Sequence, residues 1–185
     1  MQDFRVAIRY AKSLLGLASE LGKLEEVKAD MEMIGSTLQE NRDLQLLLKS
    51  PLVKADKKFA IFTALFAGNV DDMTISFITI LNKKGRENIL GAVCIKFMEL
   101  YKIEKDIVTA YVKSAHPLSD NARAELNARV KETFGGDVEL VEQVDESLIG
   151  GYVLRVGDQQ YNQSVSHQLY KMKREFDSNP FIKEF

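Results

Sequence analysis

The first twenty-one residues carry more apolar surface than a one-sided helix can use. At about 100° per residue, Phe4, Ala7, Ile8, Ala11, Leu14, Leu15 and Ala18 form one stripe, which Val6, Tyr10, Leu17 and Leu21 extend. The apolar arc reaches roughly 200°, where a surface helix needs only about 100°. Arg5, Arg9, Lys12, Ser19 and Glu20 take the remaining face. Such a helix either sits centrally in a bundle or keeps one flank for a partner's helix, a common mode of recognition. Spacing alone leaves both open.

The helical pattern continues to about residue 105. Leu24, Val27, Met31, Ile34 and Leu38 make a three-four repeat. A short apolar piece over 43–49 stops at Pro51. "ADKKFAIFTALFAG" reads as a helix with Asp56 as candidate N-cap and Gly68 as candidate C-terminal stop. "DDMTISFITILNKKG" places acids first and lysines last, which suits the helix dipole. "ENILGAVCIKFMELYKIEK" closes the series, giving five or six helices on short turns. After residue 105 the chain changes character. "DIVTAYVKSA" is β-branched and aromatic, "LSDNARAELNARVKETFGG" is helical, and "DVELVEQVD" alternates like a strand. "LIGGYVLRVGD" reads as a third strand, and Val165, Leu169, Met172 and Phe176 share one stripe of a last helix. The expected fold is therefore mostly α. A helical bundle over 1–105 precedes a small α+β domain over 106–185, in the order strand–helix–strand–strand–helix.

Charge and chemistry exclude several functions. Net charge is −2. Basic and acidic residues number 16 and 14 up to residue 105, and 9 and 13 beyond it. Neither part has the basic excess that backbone-driven nucleic-acid binding requires. That counts against the competing reading of an RNA-binding or regulatory helical adaptor. The single cysteine, Cys94, permits no intrachain disulfide, and its apolar neighbours suggest a buried thiol. The longest apolar run is too short to cross a membrane. His116 and His167 stand in no metal-ligand spacing. Asp71–Asp72 and Asp145–Glu146 sit at element boundaries, where helix starts and turns account for them. Gly150, Gly151 and Gly157 fit neither G-x-G-x-x-G nor a phosphate loop. The glycine pair at the start of a strand instead suits a bulge or the close approach of another backbone. Gly157–Asp158 reads as a tight turn.

Four stretches in order resemble the ATP synthase delta subunit, the family of the mitochondrial oligomycin-sensitivity-conferring protein. The longest is "VDESLIGGYVLRVGDQQYNQSVSHQLYKMKREF". It shows an acid (Asp145), a hydrophobic pair, Gly150–Gly151, Arg155, Gly157–Asp158 and the Ser164–Val165 that opens the last helix. "RYAKSLLGLASELGKLEEV", "FITILNKKGREN" and "IVTAYVKSAHPLSDNARAEL" resemble the first helix, the fifth helix and the join between domains. Asn162 departs from the aspartate that many members carry there.

The resemblance implies an N-terminal six-helix bundle, a C-terminal α+β domain, no active site and no cofactor. It implies a stator role with one copy per complex; the lack of a transit-peptide pattern in the opening residues places the expected site on the cytoplasmic face of the bacterial inner membrane. The bundle would bind the N-terminal helix of an alpha subunit across helices 1 and 5. The C-terminal domain would meet the end of a b-type peripheral stalk subunit. No nucleic acid and no direct membrane insertion are expected. The candidate helix groove comprises Val6, Tyr10, Leu14 and Leu17 with Ile75, Phe77 and Ile78. Gly150, Gly151, Gly157 and Asp158 are the structural signature.

Overall fold

The computed structural model describes residues 2–50, 52–66 and 68–177, with side chains from residue 4 onward. Pro51, expected above to stop a helix, lies outside the described residues. The chain divides into two compact units between Glu104 and Lys105.

In the first unit the described residues form α1 (Gln2–Glu20), α2 (Leu24–Glu40), α3 (Arg42–Lys49), α4 (Ala55–Phe66) and α5 (Asp72–Lys83). One turn of 3-10 helix (Glu87–Ile89) then leads into α6 (Leu90–Glu104). The apolar arc of α1 divides. Ala7, Ala11, Leu14, Leu15 and Ala18 are buried against α6 and α2, and Phe4, Ile8 and Leu17 remain exposed. Alanine at three of the buried positions leaves room for α6, which contributes Val93, Cys94 and Phe97 to the core. In α2 the three-four repeat buries Val27, Met31, Ile34 and Leu38, as its spacing predicts. Asp56 is not the N-cap expected above: α4 already begins at Ala55, and Asp56 lies within its first turn, where a carboxylate still suits the dipole.

A buried ion pair ties the middle of this unit together. Lys58, with its side chain 5% exposed, donates to Glu87 Oε1 at 2.7 Å and to the Leu48 carbonyl at 2.9 Å. One ammonium thereby joins α4 to the end of α3 and to the 3-10 turn. Burial by itself would raise the Glu87 carboxyl, but the Lys58 hydrogen bond and charge outweigh it and hold it below the usual carboxylate range.

In the second unit, β1 (Ile107–Ser114), α7 (Asp120–Phe134), β2 (Asp137–Val144), β3 (Tyr152–Val156), β4 (Gln159–Asn162) and α8 (Val165–Asp177) follow in order. The sheet order is β2-β1-β3-β4. β1 and β2 run parallel with Ile107 opposite Asp137, so α7 is the crossover between them. β3 is antiparallel to β1 with Val112 opposite Leu154. Ser119 caps α7, its hydroxyl accepting from the Ala122 N–H at 3.3 Å. The core is one face of the sheet closed by α7: Ala110, Val112, Leu154 and Val156 against Leu126 and Val130.

β4 is an addition to the expected order. Gly157 takes φ +57° and Val156 pairs with Gln159, so a two-residue hairpin returns the chain along β3. Glycine at the first of two turn positions is the type II′ arrangement.

The ion pair yields a test. A carboxyl whose folded pKa lies below its ordinary value contributes stability above that value and loses it as pH falls through the folded one. The unfolding temperature should therefore fall as pH drops below the ordinary Glu87 value of 4.5. At neutral pH, Glu87→Leu should cost about 3–5 kcal/mol by stranding the Lys58 ammonium, and Lys58→Met/Glu87→Leu should recover most of it.

Candidate docking surfaces

The first surface lies where α1 meets α5. The N-terminus of α5 is set by two aspartates. Asp71 is its N-cap, accepting from the Met73 N–H at 2.9 Å, and its other oxygen accepts from Lys23 Nζ at 2.7 Å. The Lys23 hydrogen bond and the Met73 N–H hold the Asp71 carboxyl below its ordinary range. Asp30 is buried on α2 and accepts from the Asp71 N–H at 2.9 Å and from the Thr74 hydroxyl at 2.7 Å. These bonds bring α5 to α1, where the Tyr10 and Phe77 rings meet edge to face with centroids 6.1 Å apart. Arg86 donates to the Tyr10 hydroxyl at 3.1 Å and stacks its guanidinium 5.7 Å from the ring centroid.

The seven candidate side chains fall into three settings. Leu14, Phe77 and Ile78 are buried within the unit, at 1%, 9% and 5% exposure. Val6, Tyr10 and Ile75 are half-buried. Leu17 is exposed at 46%. Sequence reading missed Ile80, which is 51% exposed on α5. Its signal was available, because α5 carries Met73, Ile75, Phe77, Ile78, Ile80 and Leu81, more apolar side chains than one face requires.

The second surface is α8. None of its residues is buried, and the stripe Val165, Leu169, Met172 and Phe176 is exposed at 38%, 53%, 52% and 81%. The helix is tied down at its start. The Val165 N–H donates to the Gly150 carbonyl at 3.0 Å, and the Gln163 N–H to the Tyr152 carbonyl at 2.9 Å. The buried Ser164 hydroxyl accepts from the His167 N–H at 3.2 Å. Asn162 Oδ1 accepts from both the Ser164 N–H and its hydroxyl, at 3.0 and 2.7 Å. An aspartate oxygen would accept the same two bonds, so asparagine preserves the contact at this departure from the family pattern.

The glycine pair belongs to this joint. Gly151 has φ +76°, and a Cβ there would fall 2.3 Å from the Gln163 carbonyl oxygen and 3.1 Å from Ser164 Cα. A Cβ at Gly150 would meet Val165 Cγ2 at 3.3 Å. The close backbone approach is thus the entry to α8. The sheet face turned away from α7 is a third open surface, a concavity of about 850 Å³ lined by Tyr111, Val141, Val153, Lys113 and Arg155 among others.

Two of the candidate reactive groups have plain structural roles. Asp145 accepts from the Ser147 hydroxyl and N–H, which hold its carboxyl low, and so closes a turn. Burial pushes the Cys94 thiol up to about 12, an inert form. Among the described residues, no three His, Cys, Asp or Glu side chains group as metal ligands, and no helix is long and apolar enough to cross a membrane.

A helical unit and a small α+β unit, each displaying apolar side chains, define an assembly subunit: a protein whose surfaces carry its role. The family model for the ATP synthase delta (OSCP) subunit matches residues 6–176, and the chain belongs to that family. ATP synthase subunit delta of Cytophaga hutchinsonii is 40% identical over 95% of this chain and 96% of its own length. The Christiangramia forsetii subunit is 38% identical over 98% of each chain. A chain in the cryo-EM structure of the Toxoplasma gondii mitochondrial ATP synthase hexamer superimposes with a TM-score of 0.68 at 25% identity. That match covers 94% of this chain and 98% of the other.

The three settings make separable predictions for thermal or denaturant unfolding. Leu14→Ala should cost about 2–5 kcal/mol and Phe77→Ala about 3–5 kcal/mol through cavity formation. Leu17→Ala, being exposed, should stay within about 0.5 kcal/mol of the parent chain.

Proposed function

We propose that this chain is the non-catalytic stator subunit of an F-type proton-translocating ATP synthase. It links the catalytic hexamer to the peripheral stalk and holds the hexamer still while the rotor turns, so that proton flow is coupled to ATP synthesis. Family membership over residues 6–176 carries this reading. The apolar side chains displayed on both units support it.

In this reading the first unit receives the N-terminal helix of an alpha subunit beside α1 and α5. Leu17 and Ile80 offer exposed apolar contact, and the half-buried Val6, Tyr10 and Ile75 form the edge of the seat. Leu14, Phe77 and Ile78 support that seat from below. The second unit meets the b-type stalk subunit, with the α8 stripe as its apolar contact. One copy serves each complex, as a peripheral component on the cytoplasmic face of a bacterial inner membrane. Its near-neutral charge supplies little attraction to a lipid surface, so its partners carry it there. Resisting torque calls for slow dissociation, which buried apolar anchors provide more readily than rim charges.

Calorimetry with a synthetic peptide of the alpha subunit's N-terminal segment tests the first contact. The chain should bind it, and Leu17→Asp and Ile80→Asp should each weaken binding at least about tenfold, about 1.4 kcal/mol, with unfolding temperature little changed. Absence of binding, or binding indifferent to both substitutions, would refute the α1–α5 seat.

A further inference from the structure

We infer that Gly150, Gly151, Asn162 and Ser164 form a clasp that fixes the direction of α8, making them positioning residues for the contact between its stripe and the b-type stalk subunit. This rests on the reading of α8 as a docking element. A helix that buries none of its residues is not aimed by packing. Its direction must come from its first turn. There the Val165 and Gln163 amides are bound to the Gly150 and Tyr152 carbonyls, so the segment leading into α8 is held at two points against the start of β3. Asn162 locks the intervening bend by accepting twice from Ser164, and Ser164 caps the helix. The joint closes only because residue 151 has no Cβ: with 2.3 Å to the Gln163 oxygen, any side chain must push the helix entry away.

Leverage makes the aim consequential. Thirteen residues at 1.5 Å each give a helix about 20 Å long. A ten-degree tilt at its base therefore moves its tip by about 3.5 Å, more than the ~0.5 Å within which functional geometry is usefully held. The tip carries Phe176, and Met172 lies about halfway along. Substitutions at the clasp should therefore impair docking without touching the partner.

The test measures α8 directly in the full chain. Spin labels are placed at Arg129→Cys on α7 and Lys171→Cys on α8, both exposed sites. The buried Cys94 thiol stays unlabelled. Pulsed electron resonance should give one narrow distance peak for the parent and for Asn162→Asp, which keeps the accepting oxygen. That peak should be lost in Gly151→Ala and in Asn162→Ala. Should Gly151→Ala fail to fold, Asn162→Ala decides, because it introduces no clash. A narrow peak retained in Asn162→Ala would overturn the clasp. Binding to the soluble part of the b-type stalk subunit is measured in parallel. It should weaken in Asn162→Ala and recover in Asn162→Asp. A lost peak with unchanged binding would leave the clasp standing and overturn the docking role of α8.

Discussion

One buried carboxylate sets the position on which the first surface depends. Asp30 belongs to α2, but both of its hydrogen bonds go to the first turn of α5. A carboxylate nearly out of water must be satisfied locally or it costs several kcal/mol. An N–H at a helix start and a threonine hydroxyl satisfy it. The same turn is capped by Asp71, which Lys23 holds from outside. With α5 fixed in this way, Phe77 reaches Tyr10 and the apolar flank of α1 gains a neighbour. The arrangement couples polar and apolar chemistry: ionic bonds at one end of α5 decide which of its apolar side chains are covered and which are shown.

The two units solve opposite problems of coverage. In the first, α1 and α5 each carry more apolar surface than their neighbours take up. In the second, six residues of β1, β3, α7 complete a core on one sheet face. Nothing in that core needs α8. Its stripe has the period of a packing helix, yet all four members are exposed. Period reports that a helix has an apolar face, and only the count of available partners reports whether that face is filled. For a subunit that works by holding others, surplus apolar surface in both units is consistent with contacts made elsewhere.

Much of the fold was legible where local chemistry decides. The repeat of α2, the acidic start of α5 and the alternation of β2 all follow from spacing or from a single side chain. β4 was not legible, because "QQYN" has no apolar face and every residue in it is exposed. It exists because Gly157 turns the chain back along β3. The candidate site was partly legible. The excess on α1 was readable, but which part of the arc would be covered depended on α6, a neighbour distant in sequence. Leu14 went inward and Leu17 did not. For the glycine pair, a close backbone approach was foreseeable. The identity of that backbone was not, since residues 163–164 return only after the intervening hairpin.

The strand order has a consequence for the chain before it finds its complex. β2 and β4 are the margins of the sheet, and a bare margin invites another chain to add a strand. β4 offers only four residues. β2 is longer, but Asp137, Glu139 and Glu142 are spread along it. Asp137 is paired with Lys131 and Glu142 with Arg123, so a strand added here would meet charged pairs along the margin. The sheet is thus guarded against its own copies by length on one side and by charge on the other. Neither margin therefore presents a long, bare, apolar edge to a second copy, although both units leave apolar side chains uncovered.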